Sequence, residues 1–238
     1  MGFYRGPKIV TDGLILLADP ANDKSTGGGV NMSDILENYT NSLQNTGEMS
    51  INGDPSFLTN TGDGGTSRYT RTAGDINWAT TNFSFCTWAK RPNFTDSKQG
   101  RIFDLLKAGN GHFRLTLDAT PDLNFRPTAG GSTDLVSGGS AEVAKWYNIT
   151  VTKSGITSGG SADYVLYING ESVATNTSSA LVTDANFTYI QTMNSNDDDD
   201  GSTITWNGDF GPFLVYDRVL NSDEVLQNYN SLKSRFNL

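Results

Sequence analysis

The chain has 238 residues, of which 36% are hydrophobic and 18% charged, with 26 glycines and a formal net charge of -9. That length can bury a core without disulfides or metals, and a single cysteine, Cys86, excludes an intrachain disulfide. The acidic balance, with no Lys/Arg cluster, excludes nucleic acid and anionic membranes as expected partners, because both require cationic groups against phosphate.

Residues 1–12 read as an extended arm. Phe3, Tyr4, Ile9 and Val10 are mixed there with Arg5 and Lys8, which suits docking onto a partner chain or a neighbouring copy. The arm has no apolar signal core or myristoylation pattern, and no apolar run is long enough to span a membrane. The expectation is synthesis in a cytoplasm. Residues 13–19 (Gly-Leu-Ile-Leu-Leu-Ala-Asp) predict a strand buried on both faces and closed by the turn Asp19-Pro20. Residues 22–67 are rich in Asn, Gly, Ser, Thr and Asp and read as surface loops, with short strands at 35–39 and 56–58.

Stronger strand signals follow. Residues 82–91 alternate Phe83, Phe85, Thr87 and Ala89 against Cys86 and Trp88; 101–106 come next; 112–118 alternate with period two, and 123–126 can pair with them. Residues 146–152 and 164–168 are further strands. Asn169-Gly170 then predicts a tight hairpin, since both residues accept positive φ, with 171–174 returning. Shorter strands are expected at 187–192 and 204–206, and the last clear strand at 211–216. One helix closes the chain at 222–236. Asn221 is its cap, Glu224 sits at the capping-box position, and Val225, Tyr229, Leu232 and Phe236 form one apolar stripe. No repeat or linker divides residues 13–238, which read as one domain: an all-β, jelly-roll-like sandwich of two antiparallel sheets with a short C-terminal α-helix, its first and last strands side by side.

Three segments resemble the laminin-G-like branch of the concanavalin A-like lectin/glucanase superfamily. Asn82-Phe83-Ser84-Phe85-Cys86-Thr87-Trp88 is similar to an F-S-x-x-x-W strand. Lys145-Trp146-Tyr147-Asn148-Ile149-Thr150-Val151-Thr152, followed by Tyr164-Val165-Leu166-Tyr167-Ile168-Asn169-Gly170, is similar to a W…V-T…Y…N-G hairpin. Tyr216-Asp217-Arg218-Val219-Leu220-Asn221-Ser222-Asp223-Glu224-Val225 resembles a Y-x-R-x-L-s-x-E ending. Two further stretches resemble laminin-G-like virion proteins of tailed bacteriophages: the opening Gly2-Phe3-Tyr4-Arg5-Gly6-Pro7 through Gly13-Leu14, and the ending Gln227-Asn228-Tyr229-Asn230-Ser231-Leu232-Lys233-Ser234-Arg235-Phe236. The resemblance implies a virion structural or decoration protein with a lectin-like face, its partners being other virion proteins in capsid or tail, copies of itself, or a glycan.

Catalytic motifs are absent from the sequence. Glycosidases of this superfamily use paired carboxylates, commonly as E-x-D-x-E; the glutamates Glu37, Glu48, Glu142, Glu171 and Glu224 do not form that pattern, although an aspartate pair remains open. One His, His112, and one Cys supply neither a zinc set nor a triad. The expectation is no catalytic residue and no enzyme. The run Asn196-Asp197-Asp198-Asp199-Asp200 is either a solvated acidic loop or an oxygen-rich calcium site, and the resemblance adds weight to calcium. Trp78, Trp206 and Tyr69 lie in loop-like sequence, where they either pack or stack on sugar rings; Trp88 and Trp146 lie in strong strand patterns and are expected in the core. Two alternatives stand beside the virion reading: a carbohydrate-active hydrolase of the same fold, and a host-receptor adhesin in a tail fibre.

Overall fold

The computed structural model describes residues 8–26, 34–36, 42–44, 49–53, 57–60, 68–70, 82–91, 100–107, 111–117, 123–126, 135–136, 141–155, 162–178, 189–192, 194–196, 203–205 and 207–238. Its strands, in chain order, are β1 (Leu14–Ala18), β2 (Ser42–Gln44), β3 (Met49–Asn52), β4 (Phe57–Asn60), β5 (Arg68–Thr70), β6 (Phe83–Lys90), β7 (Gly100–Lys107), β8 (Gly111–Leu117), β9 (Leu123–Arg126), β10 (Leu135–Val136), β11 (Trp146–Ser154), β12 (Ala162–Ile168), β13 (Glu171–Ser178), β14 (Tyr189–Thr192), β15 (Asn194–Asn196), β16 (Thr203–Thr205) and β17 (Gly208–Tyr216). One short helical turn, α1 (Asp23–Thr26), follows β1, and α2 (Ser222–Leu232) runs into a 3-10 turn at Lys233–Phe236.

The strands build an antiparallel sandwich. One sheet has the order β13-β12-β11-β6-β17-β4-β3, with β1 also beside β17; the other has the order β10-β9-β8-β7-β14-β5-β2; β15 and β16 form a separate hairpin. β1 takes the C-terminal half of one edge of β17, pairing Ala18 with Phe213 and Leu14 with Tyr216, while β4 takes the N-terminal half. First and last strands are therefore neighbours, as the sequence predicts.

Register assigns the two faces of the first sheet. Phe85 lies between Val151 and Val215, and Thr87 between Ile149 and Phe213; these face inward, with Phe85 edge-on to Phe213 at 4.5 Å. Cys86 lies between Thr150 and Leu214, and Trp88 beside Asn148, on the outer face. Because α2 covers that outer face, β6 is buried on both sides, which explains a near-continuous apolar run where a half-exposed strand would alternate. Pro212 sits at the β17 irregularity between Phe210 and Phe213, where a missing N–H is tolerated. Gly211 beside it lets the helix end approach: a Cβ there would stand 2.6 Å from Phe236 and 2.9 Å from Trp88.

The hairpin and helix signals materialise. Asn169 (φ 53) and Gly170 (φ 85) form the β12–β13 turn. Asn221 caps α2, its side chain accepting from the Glu224 N–H while Glu224 accepts from the Asn221 N–H. Other expectations are corrected. The helix narrows after Leu232, and Asn237 (φ 58) closes it in the left-handed region, carrying Phe236 onto Trp88. Residues 35 and 36, expected to begin a strand, form a turn after Asp34, whose carboxylate accepts the Leu17 and Leu36 N–H groups; residues 37–39 lie outside the described residues. Trp146, expected in the core, is half-buried on the outer face. Residues 8–12 of the arm lie on this body, with Val10 buried against Cys86, Leu214, Tyr216 and Val225; residues 1–7 lie outside the described residues.

Candidate functional site

The family-like motif residues converge on one seam, where the N-terminal strap (residues 8–12) and α2 close the outer face of the first sheet. Buried Asn228 accepts the Val10 N–H at 2.8 Å and donates to Tyr216 Oη at 3.0 Å; Tyr216 Oη in turn donates to the Val10 carbonyl at 2.9 Å. Ser84 donates to the Arg218 carbonyl and accepts the Leu220 N–H, both at 2.8 Å. Arg218 forks onto Glu224 at 2.7 and 2.8 Å and reaches Asp12 at 3.0 Å, tying strap, strand end and helix start together. Trp88 stacks with Phe236 at 4.3 Å and with Tyr229 at 5.8 Å. Burial raises the Tyr216 phenol and the Cys86 thiol above their ordinary values, and the Arg218 fork holds the Glu224 carboxyl below its own. A thiol so raised is a poor nucleophile. The seam is a fastening, and its signature residues encode closure of the fold.

Two of the binding residues expected from sequence, Tyr69 and Asn196, fall at a different place. Tyr69 lies on β5, its backbone opposite Thr192 of β14 and Leu43 of β2. Asn196 ends β15 opposite Thr203 of β16. β15 runs beside β5, β7 and β14, and β16 beside β7, so the topology brings Tyr69 and Asn196 to one rim of the second sheet. Asp197, Asp198, Asp199 and Asp200, in the connection between β15 and β16, lie outside the described residues, as do Trp78 and Trp206. His112 sits on β8 opposite Leu106 of β7. Among the described residues no three His, Cys, Asp or Glu side chains gather as a metal set, and no helix is long and apolar enough to cross a membrane.

A third feature escaped the sequence reading. Beyond the edge of α2, the outer face of the first sheet carries a register row crossing five strands: Ser50 (β3) pairs with Thr59 (β4), Thr59 with Asp209 (β17), Asp209 with Lys90 (β6), and Lys90 with Trp146 (β11). Asp209 pairs with Lys90 at 2.7 Å and accepts from Thr59 Oγ1 at 2.7 Å. Lys90 Nζ lies 5.1 Å from the Phe57 ring centroid and 5.2 Å from that of Trp146, within cation–π range. Asn52, exposed, donates to exposed Ser50 at 2.6 Å. The available signal was that Lys90 and Asp209 occupy outward positions in strands otherwise filled with apolar residues; what was missing was the register bringing them together.

Comparison with known proteins agrees with this architecture. No characterised protein matches by sequence. Among solved structures, the binding domain of botulinum neurotoxin DC in complex with rat synaptotagmin II is similar at 17% identity and a TM-score of 0.67, over 92% of this chain and 52% of that one. The same toxin's binding domain in complex with SialylT is similar at 17% identity and 0.65, over 92% and 51%. Trypanosoma rangeli sialidase in complex with sialic acid is similar at 14% identity and 0.69, over 95% and 34%. The chain thus spans about half the length of the toxin binding domains and about a third of the sialidase, and at such identities the likeness is one of fold. The model of the concanavalin A-like lectin/glucanases superfamily matches residues 63–226, more than half of the chain, and the chain belongs to that superfamily, in its laminin-G-like branch.

Proposed function

We propose that this protein is a non-enzymatic structural or decorating component of a tailed-bacteriophage particle, made in the host cytoplasm, whose lectin-like sandwich binds a glycan or a neighbouring virion protein. The observation that carries the reading is the pairing of the two virion-like stretches. The strap and the 227–236 tail, whose sequences resemble those of phage virion proteins, are bound to each other through Gln227 and Asn228, with Tyr216 of β17 bonded to both strap and tail. Sequence that resembles one family at both ends here serves one structural purpose.

Binding rather than hydrolysis is supported by the lack of an E-x-D-x-E strand motif. That neighbours of this fold occur in complexes with synaptotagmin II and with SialylT supports either a protein or a glycan as partner. The rim formed by β5, which carries Tyr69, and the β15–β16 hairpin is the binding surface in this reading; Trp78 and Trp206 are the other aromatic candidates that the sequence supplies. Asp197, Asp198, Asp199 and Asp200, with Asn196, offer the hard oxygen donors that suit calcium. Cryo-electron microscopy of intact particles tests the assignment. Density for this sandwich on the capsid or tail supports it; particles complete without the chain overturn it.

A further inference from the structure

The row on the outer face of the first sheet, exposed at Ser50 and partly exposed at Lys90 (23%) and Asp209 (14%), has the chemistry of a ligand surface. Its charges cancel, since Lys90 and Asp209 neutralise each other at 2.7 Å, and its remaining members Ser50, Thr59 and Trp146 are neutral. Its polar groups are already oriented by the Thr59–Asp209 bond, so binding would cost little ordering. Lys90 can donate and Asp209 accept at the same point, which is what a single sugar hydroxyl requires, acting as acceptor and donor at once. Half-buried Phe57 and Trp146 flank the pair, with their rings 5.4 Å apart, and add apolar surface beside it. Five strands at about 4.8 Å spacing make the row roughly 19 Å long, the shape of an extended chain lying across the strands. A polyanion is disfavoured by the net charge of -9 and by the absence of an unneutralised cation in the row.

We propose that this row is a subsite for a neutral oligosaccharide lying across β3, β4, β17, β6 and β11. The proposal rests on the glycan-binding reading above and adds a site on the sheet opposite the rim. The test titrates the intact chain with a panel of neutral gluco- and galacto-oligosaccharides and their sialylated counterparts. Tryptophan indole N–H resonances are followed, with Trp146 assigned through Trp146→Phe. The expected result is that a neutral oligosaccharide shifts the Trp146 indole and leaves buried Trp88 in place, while its sialylated counterpart binds no better. Asp209→Asn, which keeps the shape of the side chain, should weaken binding about tenfold or more, the scale of a lost charged hydrogen bond. Asn52→Ala, on an exposed side chain, should weaken it with unchanged thermal unfolding and carries the test should Asp209→Asn fail to fold. An oligosaccharide that binds both variants as tightly as the wild type, with Trp146 stationary, overturns the subsite and leaves the glycan reading standing. A panel in which nothing binds the wild type overturns both.

Discussion

Replacing Asn228 with Ala tests how the strap is fastened. Asn228 is fully buried, with both ends of its amide engaged: Oδ1 by the Val10 N–H at 2.8 Å and Nδ2 by Tyr216 Oη at 3.0 Å. Truncation leaves the Val10 N–H facing a buried seam without an acceptor, a cost of about 1–3 kcal/mol, and removes a donor from Tyr216, worth about 0.5–1.5 kcal/mol more. The sum, roughly 2–4 kcal/mol, should lower the melting temperature by roughly 4–16 °C for a domain of this size. Urea unfolding of the wild type, Asn228→Ala, Tyr216→Phe and the double variant completes a cycle. Because the three groups form one closed set through Val10, the coupling should be at least about 0.5 kcal/mol. Amide exchange at Val10 should quicken in both single variants. A loss below about 0.5 kcal/mol for Asn228→Ala with additive effects would refute the reasoning and make the strap a passive passenger.

Three further outcomes follow from charges and loops. Lys153 is fully buried on the inner face, and desolvation pushes its ammonium down to about 8. The unfolded chain therefore binds more protons between about pH 8 and its ordinary value near 10.4, and stability should rise with pH across that window; Lys153→Met should abolish the rise and stabilise the neutral-pH protein by at most about 3 kcal/mol, read by urea titration at pH 7 and 10. For Glu224, held low by Arg218, the sign is opposite: its contribution is present above the ordinary carboxylate value near 4.3 and is lost as pH falls through its lowered folded value, so Glu224→Gln should be less stable at pH 7 and show a flatter acid limb in thermal unfolding. Calcium binding at the β15–β16 connection should raise the melting temperature relative to EDTA by roughly 5–11 °C at a hundredfold excess over the dissociation constant, since about 2.7 kcal/mol is gained there; magnesium should do less, and Asp-to-Asn changes at 197–200 should remove the calcium-specific part.

What could be read from the sequence was set by how local each signal is. The Asn169-Gly170 turn, the Asn221/Glu224 cap and the strands β6, β11, β12 and β17 were legible, because period-two runs, positive-φ residues and capping pairs act within a few residues. β2, β3, β5, β10 and β15 were not: they are two to four residues long and owe their existence to cross-strand pairing rather than to a local pattern of their own. Asn228 fell outside the apolar stripe of α2 because its role depends on Val10, 218 positions earlier. Trp146 carried a core-like pattern, yet its row meets solvent at the edge of α2. The expected ligand residues clustered in loop-like sequence, and of these the topology gathers Tyr69 and Asn196 at one rim. The Lys90–Asp209 pair was hidden for the opposite reason: both residues sit in strands that were legible, and only the register, including the irregularity at Phe210–Phe213, sets them side by side.

The central claim, that the sandwich is a binding module and not a hydrolase, proposed with a glycan as one partner, is tested most directly by native mass spectrometry of the intact chain after prolonged incubation with the oligosaccharide panel. The account predicts complexes whose bound oligosaccharides keep their starting mass, with no shorter sugars accumulating in solution. Progressive appearance of shortened oligosaccharides, lost on an Asp-to-Asn substitution, would contradict it.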